Sequence, residues 1–449
     1  MVTQALNFYQ GHNPADLTKE YGSPLYVYSE KIFRQRCRDM INLTTYPHFK
    51  VNYAIKANTN LTLLRIAKEE GLTADISSPG EAAAAFAAGY TPKDLFFIAN
   101  NISPDEMAFA MEKNILLSVD SLSQLETFGK LNPGGEIALR FNGGVGGGHH
   151  ENVITGGDKT KFGIRATYIP EVKTLLEKYR LRLVGINHHF GSQNPEELYL
   201  GGVTELLSIA RQFEGLEFVD FGGGFSVPYH KQKGEAPMNL AYLSQALTKH
   251  MEQFSKEYGS LTYMIEPGRY ICAECGVLLG TVHAIKQNGE TKFAGTDLGF
   301  STLLRTTLYE AHHDIEVYNF ISEQCTAQNN PKAEWCTAQS AAPQRSGGSV
   351  AGLCPAERRG FGGSAPISVH IVGNQCESGD YIAKSRLLPP IHEGDILGIL
   401  DAGAYGYSMS SQYNHRPRPA EVLIREDGSL KLIRRRDTYE DMIANMLGM

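Results

Sequence analysis

The sequence predicts an α/β chain: a (β/α)8 barrel of the TIM type carrying a second, mostly antiparallel β-domain. Three observations lead there. Between residues 30 and 283, short apolar, β-prone runs alternate with amphipathic helix-like segments. Polar motifs fall at the C-terminal ends of those runs, where barrels of this kind keep their chemistry. After residue 284 the pattern changes to β-prone runs separated by turns.

Taken in order, the expected barrel strands are Val51–Ile55, Thr73–Ser77, Asp94–Ile98, Ile115–Val119, Glu136–Phe141, Leu183–His188, Leu216–Phe221 and Tyr263–Glu266. Each is a short apolar run of strand length. Between them lie amphipathic stretches such as Leu61–Glu70, Pro79–Ala88, Pro104–Lys113 and Pro170–Tyr179, which read as the crossover helices. The second domain takes residues 1–29 and 284–449. Its expected strands are Gly280–Ile285, Lys292–Gly295, Ser368–Val372, Asp395–Leu400 and Ala420–Arg425, and Tyr26-Val27-Tyr28 adds a further strand or helix. One stretch, 325–366, fits neither domain. It is rich in Ala, Gly, Ser, Gln and Pro, repeats Cys-Thr-Ala-Gln at 325–328 and 336–339, and holds the single tryptophan, Trp335. That composition buries too little surface to offset ordering entropy, so it reads as a flexible surface insertion, with a partner-binding loop as the alternative.

At 449 residues the chain exceeds the usual limit of one core, which favours a barrel plus a second domain. Net charge is −7, from 42 Lys and Arg against 49 Asp and Glu, without a basic cluster, so nucleic acid and anionic membrane are poor partners. The first residues lack the regions of a signal peptide, and no apolar stretch is long enough to span a bilayer. Seven scattered cysteines do not form a secreted disulfide framework. These features predict a cytoplasmic protein.

The chemistry-bearing residues stand at strand ends. Lys56 closes the run Val51-Asn52-Tyr53-Ala54-Ile55-Lys56. A lysine there snorkels to water, pairs with a neighbour, or loses its proton and becomes a nucleophile toward a carbonyl or aldehyde cofactor. Gly222-Gly223-Gly224 follows a strand, so it is either a tight turn or a backbone cradle for an anion. The glycine spacing is not that of a dinucleotide fingerprint. Glu266-Pro267-Gly268-Arg269 ends the last barrel strand. Glu266 suits a pyridinium nitrogen, Gly268 a phosphate and Arg269 a carboxylate, with a surface salt bridge as the plain alternative. Of the adjacent His188 and His189, at most one faces the site, because neighbours on a strand point to opposite faces. Cys376-Glu377-Ser378-Gly379-Asp380 pairs a thiol with a carboxylate in a glycine-containing loop, suited to proton donation or simply burying a cysteine. Metal binding is not expected. Cys272-Ala273-Glu274-Cys275 has no second C-x-x-C at finger spacing, and the pairs His149-His150 and His312-His313 complete no zinc motif.

Taken together and in order, these motifs resemble those of the fold type III decarboxylases that use pyridoxal phosphate. The resemblance runs from about residue 20 to 435, leaving out 325–366. It is carried by Tyr53-Ala54-Ile55-Lys56-Ala57-Asn58, His189-Phe190-Gly191-Ser192-Gln193, Gly222-Gly223-Gly224, Glu266-Pro267-Gly268-Arg269, Arg305 with Leu308-Tyr309, Cys376-Glu377-Ser378-Gly379-Asp380, and Gly403-Ala404-Tyr405. It implies pyridoxal 5'-phosphate as cofactor and an alanine racemase-like pairing of barrel and β-domain. It further implies a head-to-tail homodimer with shared active sites.

Residue by residue, the resemblance implies that Lys56 holds the cofactor covalently, His189 stacks on its ring and Glu266 pairs with its nitrogen. Gly223, Gly224, the backbone of Pro267, Gly268 and Arg269, and Tyr405 hold its phosphate. Arg269, Arg305, Tyr309, Glu377 and Tyr405 face the substrate, and Cys376 from a partner subunit protonates the product carbon. Within the family, Cys-Glu rather than Cys-Asp implies decarboxylation of meso-diaminopimelate to L-lysine. Thr306 after Arg305, the segment Gly299-Phe300-Ser301-Thr302, Asn374-Gln375 and Asn187 depart from the usual pattern. They leave D-lysine or D-ornithine decarboxylation as the alternative. A racemase or a non-catalytic cofactor-binding protein would share the barrel, but the Cys-Glu loop and Arg305 argue against both.

Overall fold

The structure is a computed structural model that describes residues 1–142, 147–148, 156–157, 160–189, 191–318 and 365–446. Most of the expected insertion, residues 325–364 including Trp335, lies outside the described residues.

The chain enters through β1 (Leu25–Ser29), then lays down eight parallel strands that close on themselves. These are β2 (Phe49–Ala54), β3 (Thr73–Ile76), β4 (Leu95–Ile98), β5 (Leu116–Val119), β6 (Glu136–Asn142), β7 (Arg182–Asn187), β8 (Phe218–Asp220) and β9 (Thr262–Ile265). The pairing runs in that order, and β9 returns to β2 through Ile265 opposite Val51. Strands covered on both faces read as continuous apolar runs, and β4, Leu-Phe-Phe-Ile, is buried at every position. The period of two still sorts its side chains. Phe96 and Ile98 pack inside with Ala138, Val184 and Phe218, whereas Phe97 joins the outer core beneath the helices.

Helices follow the strands because their start signals are in place. Ser78 accepts from the Glu81 N–H at the head of Pro79–Ala87, and Ser103 forms a capping box with Glu106 ahead of Pro104–Glu112. Each cap satisfies orphan donors of the first turn, and the proline at the first helical position costs no hydrogen bond.

The second domain continues with β10 (Gly276–Asn288), β11 (Thr291–Thr296), β12 (Ile315–Tyr318), β13 (Ile367–Val372), β14 (Tyr381–Leu388), β15 (Ile396–Ile399), β16 (Ala420–Ile424) and β17 (Leu430–Arg434). Their order is β14-β13-β11-β10-β1-β16-β17, with β15 between β10 and β12. Of its strand pairs six are antiparallel and two, β1 with β16 and β11 with β13, are parallel. Thus residues before 30 supply a central strand of this sheet, not an edge.

The loop after β15 rests on the open end of the barrel. Tyr405 N–H donates to Ala57 O at 2.8 Å, and Asn58 Nδ2 donates to Gly403 O at 3.0 Å. Any side chain at position 403 would place its first carbon 1.9 Å from Cys272 O, so only glycine allows this approach. The contact carries Tyr405 over the strand ends that hold Lys56. Among the described residues no helix is long and apolar enough to cross a membrane.

Candidate active site

Lys56 stands in a single turn, Ile55–Ala57, immediately after β2. The expected strand ran to Ile55, but the backbone leaves the ladder one residue sooner, with Asn58 N–H closing the turn on Ile55 O. The turn aims Nζ into the barrel mouth, 2.5 Å from Asp75 Oδ2 on β3. Burial pulls the ammonium pKa down, but the carboxylates of Asp75 and Glu266 push harder, and the net shift is upward. The lysine therefore waits as a paired cation.

Glu266 follows β9 and is buried. Among the described residues its Oε1 has no hydrogen-bond partner. Burial, reinforced by Asp220 and Asp75, holds its carboxyl well above the usual range. An unpartnered buried carboxyl is costly unless a donor meets it. Asp220, at the end of β8, is pushed up to about 7 by burial. It accepts from Asn52 Nδ2 at 3.0 Å and from Gly222 N–H at 2.9 Å.

The glycine run Gly222-Gly223-Gly224 threads a gap without room for side chains. A first side-chain carbon would lie 2.2 Å from His188 O at Gly222 and 2.4 Å from Glu266 O at Gly223. Gly222 and Gly224 also take positive φ, at 68° and 112°. The two histidines separate as strand geometry requires. His188 is buried with its ring nitrogen 2.9 Å from Phe221 O, and burial lowers its pKa to about 3. His189 lines the cavity, where Gly223 N–H donates to its Nδ1 at 3.1 Å.

Two guanidiniums complete the wall. Arg269 donates from Nε and Nη2 to Ser192 Oγ, at 3.1 and 2.7 Å, and from Nη1 to Tyr229 Oη at 2.9 Å. Arg305 donates from Nη1 to the same Tyr229 Oη at 3.1 Å. Both side chains are buried, and among the described residues neither meets a carboxylate. A surface salt bridge for Arg269 is thereby excluded.

A cavity of about 220 Å³ brings together Lys56, His189, Gly224, Glu266, Gly268, Arg269, Arg305, Tyr309 and Tyr405. Gly223 and Pro267 support it from behind, Pro267 O accepting from Ala54 N–H at 3.2 Å. Cys376 and Glu377 do not line this cavity. They are exposed on the loop after β13, not buried as a plain cysteine would be. There Cys376 N–H donates to Asn414 Oδ1 at 3.1 Å, Asn414 Nδ2 lies 3.3 Å from Cys376 Sγ, and the Tyr413 hydroxyl donates to Glu377.

Sequence reasoning missed Asp75, Tyr229, His313 and Met409. Asp75 left a trace as a charge inside an apolar strand, and His313 as half of a histidine pair. Tyr229 left none. Cys272 and Cys275 are buried, and no group of metal-ligating side chains occurs among the described residues. His149-His150 and Phe190 lie outside the described residues.

Comparison with known proteins adds four findings. The family profile described as pyridoxal-dependent decarboxylase, pyridoxal binding domain, matches residues 31–273. A diaminopimelate decarboxylase of Methanothermobacter thermautotrophicus is 39% identical over 445 residues, covering 96% of this chain and 94% of that protein. One from Escherichia coli K12 is 31% identical, covering 95% and 94%. The crystal structure of diaminopimelate decarboxylase from Helicobacter pylori complexed with L-lysine superposes with a TM-score of 0.79. It is 28% identical and covers 96% of this chain and 98% of that one.

Proposed function

This chain belongs to the pyridoxal-dependent decarboxylases, and from that premise we propose that it decarboxylates meso-diaminopimelate to L-lysine. The observation that carries the substrate reading is the pair of buried guanidiniums without carboxylates on the wall that Lys56 faces. Buried charge without a counter-charge calls for an anion, and a guanidinium fork is the natural reader of a carboxylate.

The residues present fit pyridoxal phosphate. The unpartnered Glu266 Oε1 offers an acceptor to a protonated ring nitrogen, and the side-chain-free glycine run leaves backbone at the cavity edge. Lys56 Nζ would hold the group covalently, His189 would stack on its ring, and Glu266 would keep its ring nitrogen protonated. Gly223, Gly224, the backbone of Pro267, Gly268 and Arg269, and Tyr405 would hold its phosphate. When bound, it supplies an electron sink for the pair left behind as carbon dioxide departs.

The chain's own residues do the rest. Arg305, with Arg269, Tyr309 and Tyr405, binds the carboxylate at the far end of the substrate and fixes which carboxylate leaves. Asp75 keeps the Lys56 ammonium inside the cavity whenever that amine is not bonded elsewhere. Cys376 Sγ, from a partner subunit, gives its proton to the carbon that has lost carbon dioxide, with Glu377 beside it contacting substrate. The exposure of Cys376 and Glu377, away from the cavity of their own chain, supports a homodimer with shared sites. Net charge and the absence of a membrane-spanning helix among the described residues support a cytoplasmic enzyme without membrane or nucleic-acid partners.

The test is carbon dioxide release from a panel of diamino acids. Turnover of meso-diaminopimelate above that of D-lysine and D-ornithine is expected. Better use of D-lysine would hand the function to the alternative.

A further inference from the structure

Arg305 is held by two neutral acceptors. Its Nη1 donates to His313 Nε2 at 2.8 Å and to Tyr229 Oη at 3.1 Å, which uses both hydrogens of that nitrogen. The sense of the histidine contact is fixed from the far side. His313 Nδ1 lies 2.7 Å from Leu400 O, which only accepts, so Nδ1 carries the hydrogen and Nε2 offers its lone pair. His313 is 2% exposed, and burial, followed by the charge of Arg305, holds its pKa well below the usual histidine range. The ring is neutral. Tyr229 adds the face of its ring, whose centre lies 4.9 Å from the Arg305 guanidinium carbon.

The other edge of the guanidinium has no hydrogen-bond partner among the described residues. Arg305 Nε is buried, without a partner among the described residues, and with Nη2 it forms the side of a guanidinium fork suited to a carboxylate. Arg269 differs, since its Nε and Nη2 already close on Ser192.

The geometry points to His313 and Tyr229 as positioning residues that set the substrate class: they aim Arg305 without discharging it, so the cavity demands a carboxylate at the substrate's far end. This rests on the reading of Arg305 given above. An acidic residue in place of His313 would hold Arg305 equally well but neutralise it within the protein. The site would then lose its demand for an anion.

The experiment titrates holoenzyme with L-lysine, which keeps the distal carboxylate, and with cadaverine, the same chain without it. Wild type is expected to bind L-lysine at least about tenfold tighter than cadaverine. His313→Gln, which keeps a neutral acceptor, should preserve that ratio to within roughly threefold. His313→Glu should reduce it about tenfold or more, and raise KM for meso-diaminopimelate without raising that for D-lysine. Tyr229→Phe, which keeps the ring and removes the acceptor, should lower the ratio by roughly threefold or more and covers the case in which the glutamate variant fails to fold. A folded His313→Glu enzyme with the wild-type ratio overturns the proposal, as does an unchanged ratio in Tyr229→Phe. If wild type itself does not prefer L-lysine, the reading of Arg305 falls and this proposal with it.

Discussion

Lys56 is held by opposed effects of burial and charge. Burial alone would strip its proton, but Asp75 at 2.5 Å and Glu266 nearby keep it cationic until chemistry takes the amine. Its place at the mouth predicts that Lys56→Ala loses the visible absorbance of bound pyridoxal phosphate and at least roughly a thousandfold in turnover. A borohydride-reducible adduct persisting in that variant would contradict the assignment. Cys376, off the cavity and clipped by Asn414, is expected to matter for turnover alone. Cys376→Ala should cost roughly a hundredfold or more in kcat while cofactor affinity stays within a few-fold. Near-normal turnover would remove it from the mechanism.

Asp220 gives a pH prediction with a definite sign. Unfolded, its carboxyl ionises near 3.8; folded, near about 7, because burial disfavours the charge. As pH rises between those values the unfolded chain releases the proton first. The folded state therefore loses stability across that window. Cofactor-free Asp220→Asn protein should show a flatter fall of melting temperature between about pH 4 and 7. An unchanged slope would show that Asp220 carries no such strain.

Among the elements, the loop after β8 is the least tolerant of change. Gly223 sits where a side-chain carbon would lie 2.4 Å from Glu266 O, so an alanine must move backbone on two strand ends at once. Gly223→Ala should weaken cofactor retention on dialysis by about tenfold or more, and wild-type retention would mean the loop yields. The elements themselves were largely legible. Parallel strands buried on both faces announce themselves as apolar runs, and serine caps with prolines mark the helix starts. What the pattern does not carry is where tertiary contacts end an element. Leu216, expected in β8, donates its N–H to the Tyr258 hydroxyl instead of a neighbouring strand. Ile55, expected in β2, joins the turn that β9 and the loop after β15 pin down. The same limit governs the site. Lys56 and Glu266 were readable because they stand just past strand ends. Tyr229 meets residues 40 and 76 positions along the chain and His313 one eight positions away, and neither the strand nor the helix pattern marks those meetings.

At the scale of the whole molecule, a barrel and a β-sheet share one cavity, while the thiol assigned to proton donation stands outside it on the same chain. If a second copy supplies that thiol, two dead enzymes should rescue one another. Mixing Lys56→Ala with Cys376→Ala under conditions of subunit exchange should restore roughly a quarter of wild-type activity, since half the dimers are mixed and each has one intact site. No recovery above the parent variants would contradict shared sites. Two buried guanidiniums line the cavity with Lys56 and meet no carboxylate among the described residues, which supports a substrate with a carboxylate at its far end. The direct measurement is carbon dioxide release by purified holoenzyme from meso-diaminopimelate and from D-lysine, which differ in that carboxylate. A kcat/KM at least about a hundredfold higher is expected for meso-diaminopimelate. Equal use of the two, or preference for D-lysine, would contradict it.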